Sequence, residues 1–211
     1  MRRLQDGNPN TQAYWNDTIL QKKSLEINYA YTPAASFVDL LFRMTEFVLN
    51  SMPAGYVPTF LDVGSGSGMI LKRFVGRYGL RIRFSTCDFS RPSLEWVKEK
   101  MPLLEECFLC DARARIEKPD KSYDIVMATE VIEHMDDPKA FVDELARLSR
   151  RLILISCPFE ERSILSTFHV WAFSFADIHG FLAAHGNVEI NADRGCDHFI
   201  AACRLDGGEY R

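Results

Sequence analysis

The residues Asp62-Val63-Gly64-Ser65-Gly66-Ser67-Gly68 carry the densest chemical signal in the chain. Glycines two apart let a ligand rest on bare backbone, and a helix starting behind them offers unpaired N–H groups. The dinucleotide pattern G-x-G-x-x-G is broken at its last position by Met69, and no Lys-Ser or Lys-Thr stands at Walker spacing. A glycine turn with an acid two residues ahead of it remains. Further acids follow in Cys87-Asp88-Phe89-Ser90, in Cys110-Asp111-Ala112, and in the run from Ala128 through Thr129, Glu130, Glu133 and His134 to Pro138. Imidazole changes charge near neutral pH, which suits His134 to proton abstraction.

These residues need a scaffold that gathers them, and the hydrophobic pattern supplies one. Short apolar strands are predicted at 59–63, 81–87, 106–110, 123–128, 152–156, 188–192 and 198–204. Helices are predicted between them at 69–78, 92–101, from Pro138 through Leu148, and over 173–185 with Gly186 as a stop. Strands alternating with helices imply a Rossmann-like, doubly wound α/β fold. The seven-stranded sheet should be mostly parallel, with helices on both faces. The last two strands are joined by the short turn Asp193-Arg194-Gly195, so one strand near an edge must run antiparallel. In such sheets ligands bind beyond the carboxyl ends of the strands. Every acid named above stands at such an end. Singly, Asp88 would read as a cap ahead of Pro92, Asp111 as a surface turn residue, and Asp136 and Asp137 as caps before Pro138. Together, acids at successive strand ends beside one glycine turn favour a shared ligand.

In these motifs and their order the sequence resembles the class I S-adenosylmethionine-dependent methyltransferases, over roughly residues 58–160. The resemblance implies an enzyme that binds S-adenosylmethionine through Asp62, Gly64, Ser65, Gly66 and Gly68 of the first motif. It implies ribose hydroxyls on Asp88 beside Phe89, and the adenine amino group on Asp111 beside Ala112. The methionine part would lie against the backbone near Thr129 and Glu130. Methyl transfer is an in-line displacement, so the protein must align the nucleophile and help remove its proton. His134 and Glu133 are the titratable pair beyond the fourth strand, and they are the candidate catalytic residues. The reading assigns no metal. An alternative has Glu130, Glu133, His134 and His169 hold a divalent cation that polarises vicinal hydroxyls, as in metal-dependent RNA-end 2′-O-methyltransferases. A non-catalytic cofactor-binding protein is the other alternative.

Residues 1–57 match no motif. They read as an N-terminal helical lid on the substrate side of a compact 58–211 domain. Residues 1–10 look like a loose polar terminus, 11–28 like short amphipathic helices, and Thr32 with Pro33 opens a longer helix. Tyr14, Trp15, Tyr29 and Tyr31, with Phe159, Phe168, His169, Trp171 and Phe173, would line or close an acceptor pocket. A small-molecule, saccharide or lipid-linked acceptor, methylated at oxygen, is the expected substrate.

The composition limits the partners. The 211 residues carry 25 Lys and Arg against 29 Asp and Glu, a net charge of −4 without basic blocks, which disfavours a nucleic-acid acceptor. No apolar run approaches bilayer length and no secretory leader is evident, so a cytoplasmic protein without membrane insertion is expected. Cys107 and Cys110 form the sole C-x-x-C pair, and on a strand they point to opposite faces, which is poor chelating geometry.

Overall fold

The computed structural model describes residues 1–19, 24–26, 34–159, 168–193 and 198–205. Its strands are β1 (Arg2–Arg3), β2 (Thr59–Val63), β3 (Arg83–Asp88), β4 (Glu106–Leu109), β5 (Tyr123–Thr129), β6 (Ser149–Pro158), β7 (Trp171–Ala172), β8 (Gly186–Asp193) and β9 (His198–Leu205). Helices α1 (Ala35–Leu49), α2 (Leu71–Tyr78), α3 (Arg91–Lys100), α4 (Pro138–Leu148) and α5 (Phe175–Leu182) pack around them. The main sheet has the order β4-β3-β2-β5-β6-β9-β8. Its first five strands are mutually parallel, and β9 runs antiparallel to both β6 and β8. This is the doubly wound α/β sheet with one reversed strand that the sequence pattern implies. Chain order reverses between β2 and β5, which opens the crevice where such sheets bind ligands.

The two faces are filled by strict alternation along the strands. Phe60, Ile125, Met127, Leu152 and Leu154 point to one side, where α1, α2 and α3 cover them. Leu61, Val63, Val126, Ala128, Ile153 and Ile155 point to the other, under α4 and α5. A period of two fixes which residues face which layer, so a one-residue slip would exchange both cores. Cys107 joins the first cluster and Cys110 the second, on opposite faces of the sheet.

At the amino ends of the strands one buried carboxylate ties the sheet together. Asp124 accepts from the Thr59 N–H at 2.9 Å and from the Tyr56 hydroxyl at 3.0 Å, with Arg150 at 3.4 Å. The carboxyl ends are thereby left to ligand chemistry.

Three sequence expectations need correction. Residues 1–10 are not loose: β1 pairs antiparallel with β7, Leu4 N–H donates to the Val170 carbonyl at 2.8 Å, and Asn10 is buried. Backbone pairing and amide side chains hold this segment, and neither leaves a hydrophobic period. The last helix is confined to Phe175–Leu182, because Ser174 and Asp177 form a capping box that fixes its start. Gly186 is no helix stop but the first residue of β8, where a Cβ would lie 2.1 Å from the Arg204 carbonyl oxygen. The expected Thr32–Pro33 cap, Tyr29, Tyr31, Arg194 and Gly195 lie outside the described residues. Among those described, no helix is long and apolar enough to cross a membrane.

Gly186→Ala is therefore expected to destabilise the fold by about 2 kcal/mol or more, since backbone rather than a side chain must yield. Urea unfolding of the variant against wild type measures it.

Candidate active site

The turn after β2 is shaped by glycines that cannot be exchanged. Gly64 has φ +74° and a Cβ there would strike Val131 at 2.7 Å; Gly68 has φ +75° and a Cβ there would meet Met101 at 2.5 Å. Gly68 N–H donates to the Ser65 carbonyl at 2.8 Å and closes the turn. The turn is then anchored to the next strand. Asp88, at the end of β3, accepts the Gly66 N–H on one carboxylate oxygen at 2.9 Å and the Ser90 N–H on the other at 2.8 Å. Ser90, not Asp88, caps α3 by accepting the Ser93 N–H, and the Ser93 hydroxyl donates back to the Gly66 carbonyl.

This crevice is a cavity of about 300 Å³. Gly64, Ser65 and Gly66 form one wall, with Asp62 behind them. Asp88, Phe89, Asp111 and Ala112 form the next, and Thr129, Glu130 and His134 the third. Gly68 and Glu133 do not reach it: the first supports the turn, and the second is buried behind His134.

Burial shifts the acids. Desolvation, reinforced by the neighbouring Asp88, pushes Asp62 up to about 8. Among the described residues its Oδ1 has no hydrogen-bond partner. Desolvation also raises Asp88 to about 6, against the opposing pull of three backbone N–H donors. Asp111 behaves differently. Arg113 grips both its oxygens, at 2.9 and 2.7 Å, and holds its carboxyl below the usual range.

His134 is fixed by the segment after β6. Its Nδ1 lies 2.9 Å from the Phe168 carbonyl oxygen, which only accepts, so Nδ1 carries a proton and, in the neutral ring, Nε2 holds the lone pair. The Trp15 ring meets the imidazole edge-on at 5.4 Å between centroids. Glu133, His134 and His169 bring one ligand atom each within 4.8 Å of one another. Glu130 does not join them. It turns to the Ser156 hydroxyl at 2.7 Å and to His198 Nε2 at 2.8 Å, so the four-residue cation site considered from sequence is not assembled.

Two residues of the N-terminal segment, Asn10 and Trp15, line the cavity. Asn8 donates to the His134 carbonyl and Asn10 to the Phe168 carbonyl, while the Trp15 indole donates to Asn10 Oδ1 at 3.0 Å. Arg113 also reaches the Asn10 carbonyl at 2.9 Å, linking Asp111 to this strap.

Residues 61–152 match the family model described as a methyltransferase domain. That match spans 92 of the 211 residues, the central segment that holds the glycine turn and the strand-end acids. A search of curated protein sequences gives no match. Among solved structures, the CMeT domain of the citrinin polyketide synthase superimposes with TM-score 0.74 at 12% identity, over 95% of this chain. The chain spans 60% of that domain's length. A SAM-dependent methyltransferase from Aquifex aeolicus is similar at TM-score 0.58 and 18% identity, over 82% of this chain and all of its own. Magnesium protoporphyrin IX methyltransferase from Synechocystis PCC 6803, solved with bound SAH, gives TM-score 0.67 at 15% identity, over 92% and 98% of the two chains. At these identities the likeness is one of fold.

Several cavity residues of this chain escape a motif reading. Asn10 and Arg113 have no pattern, because each matters through one partner far along the chain. Met135 and Met69 look like ordinary apolar positions. Trp15 is legible beforehand, as one of the aromatics expected to line the acceptor pocket.

The raised acids make a test of stability. Unfolded aspartate ionises near 4, whereas Asp62 holds its proton to about 8 and Asp88 to about 6. Between these values the folded chain binds more protons than the unfolded one, so ligand-free stability should fall as pH rises from about 4 to 8 and then level off. Asp62→Asn should flatten most of that slope and be the more stable form at pH 8, by at least the ~1.4 kcal/mol of one pKa unit. Urea unfolding at pH 5 and pH 8 decides it, and equal slopes for both proteins would refute the burial argument.

Proposed function

We propose that this chain is a methyltransferase that transfers a methyl group from S-adenosylmethionine to an oxygen of a small-molecule, saccharide or lipid-linked acceptor. The carrying observation is that one cavity contains the glycine turn, Asp62, Asp88 and Asp111, and an imidazole whose Nε2 bears the lone pair. S-adenosylmethionine supplies, when bound, a methyl group already activated on a sulfonium. The chain's own residues have to hold that donor, bring the acceptor into line and take a proton.

The residues present fit the donor. The partnerless Asp62 oxygen is a costly feature in an empty site and a favourable one beside a cationic group, which would draw its proton off. Asp88 has both oxygens fixed by backbone donors, and each keeps a lone pair for a ribose hydroxyl. Asp111 with Ala112 would receive the adenine end, and the backbone at Thr129 and Glu130 the methionine end. On the acceptor side His134 takes the hydroxyl proton, and the Glu133 carboxylate, 3.9 Å from Nε2, stabilises the imidazolium that results. Of the expected substrate-side segment 1–57, Asn10 and Trp15 reach the cavity, whereas α1 packs on the sheet.

A second reading is favoured by one observation. Glu133, His134 and His169 converge closely enough to hold a divalent cation, which would polarise the acceptor hydroxyl instead. The net charge of −4 argues that even then the acceptor is not a long nucleic acid.

Thermal-shift titration with S-adenosylmethionine, its demethylated product and NAD tests the donor: stabilisation by both sulfur compounds and not by NAD is expected. Asp88→Ala should lose that shift, with affinity lowered about 100-fold or more. A screen of hydroxylated acceptors with a radiolabelled methyl donor then tests transfer. On any acceptor found, His134→Asn should lower kcat by about 10²–10⁴. EDTA should leave the rate unchanged; loss of activity restored by Mn²⁺ would favour the cation reading.

A further inference from the structure

Glu130 is the one cavity residue whose backbone and side chain are both held in an unusual state. It has φ +57°, a left-handed conformation that costs a non-glycine residue of order 1 kcal/mol or more. Three bonds impose it. Its N–H donates to the Ser156 carbonyl at 3.0 Å, its Oε1 accepts from the Ser156 hydroxyl at 2.7 Å, and its Oε2 pairs with His198 Nε2 at 2.8 Å. Ser156 is completely buried on β6, and His198 opens β9. The carboxylate is thus drawn toward β6 and β9, away from β2, β3 and β4, whose ends carry the glycine turn, Asp88 and Asp111.

We propose that the Glu130 carboxylate, aimed by Ser156 and His198, determines specificity for the acceptor, leaving only the backbone of Glu130 to the cofactor. It would receive a second hydrogen-bond donor on the acceptor, beside the hydroxyl that is methylated. The inference rests on the methyl-transfer reading and narrows its substrate class to acceptors with two neighbouring donors, such as a vicinal diol. Each oxygen of a carboxylate has two acceptor sites, so one remains on each after the donors among the described residues are counted. Glu130 lines the cavity and is 37% exposed at the side chain, which leaves those sites within reach of a bound molecule. His198 acts through Glu130 as a positioning residue: the carboxylate accepts, so Nε2 is the protonated nitrogen of the ring.

The test is a double-mutant cycle between protein and substrate. Each acceptor methylated in the screen is compared with its deoxy counterpart lacking the neighbouring hydroxyl, using wild type and Glu130→Gln. Wild type is expected to favour the diol by about 10–100-fold in kcat/KM, and Glu130→Gln to remove most of that preference. Losses that simply add would overturn the proposal. Two arms need no acceptor, and so separate its failure from failure of the transfer reading. Calorimetry with S-adenosylhomocysteine should show Glu130→Gln within about threefold of wild type, whereas a loss of tenfold or more would return Glu130 to the cofactor site. Long-range ¹H–¹⁵N spectra should show the His198 ring protonated at Nε2, and the opposite tautomer would remove the positioning argument.

Discussion

The contact between the Asp88 carboxylate and the Gly66 N–H is the constraint on which the site depends. It joins the ends of β2 and β3, whose parallel register already brings Val63 opposite Cys87. One strand-end side chain thereby sets the path of the glycine turn, the start of α3 through Ser90, and the depth of the cavity. The position is demanding. Asp88 is almost fully buried beside Asp62, and only its backbone donors keep its shift smaller than that of its neighbour. A carboxylate in so dry a place survives because the groups around it are already oriented, which water would have to reorganise to achieve. Preorganisation of this kind costs the empty fold and favours the filled one.

The sheet separates the two tasks by polarity along its strands. At the amino ends, Asp124 is saturated by Thr59, Tyr56 and an arginine, so its charge serves stability. At the carboxyl ends, Asp62 and Glu130 face the cavity with acceptor sites to spare. The N-terminal strap completes the arrangement by supplying polar side chains that the sheet lacks. Asn8 and Asn10 satisfy the carbonyls of His134 and Phe168, and Phe168 in turn fixes the His134 tautomer. The strap is thus coupled to the imidazole through hydrogen bonds as well as by the Trp15 ring.

The sheet was legible because strands buried on both faces read as apolar runs, and each acid fell at the end of one. The glycine turn was legible because its function needs missing side chains, which a sequence displays directly. What stayed hidden depends on single long-range partners. Nothing in Arg2-Arg3 marks an edge pairing with Trp171-Ala172, and Gly186 stops a helix or admits a carbonyl with equal plausibility until β9 is placed beside it. His198 passed unnoticed for the same reason: its partner, Glu130, lies at a strand end 68 residues earlier. Motif logic drew Glu130 into the cofactor set and into a cation site. The bond to Ser156 draws the carboxylate to another strand, away from Glu133, His134 and His169.

Charge within the cavity, rather than on the surface, accounts for what the site would exclude. Among the residues lining it, Asp62, Asp88, Asp111 and Glu130 are acidic and Arg113 alone is strongly basic. Arg113 is already engaged by both oxygens of Asp111. A dinucleotide would place a diphosphate against a turn whose N–H donors are partly spent, at Gly66 on Asp88 and at Gly68 on Ser65. Its negative charge would meet the carboxylates of Asp88 and Glu130, with no unengaged Lys or Arg among the described lining residues to offset them. A ligand with a positive charge and no phosphate meets the opposite field, and it relieves the Asp62 desolvation that the empty cavity sustains. The accumulation of acids at the strand ends therefore favours a cationic nucleoside over a diphosphate.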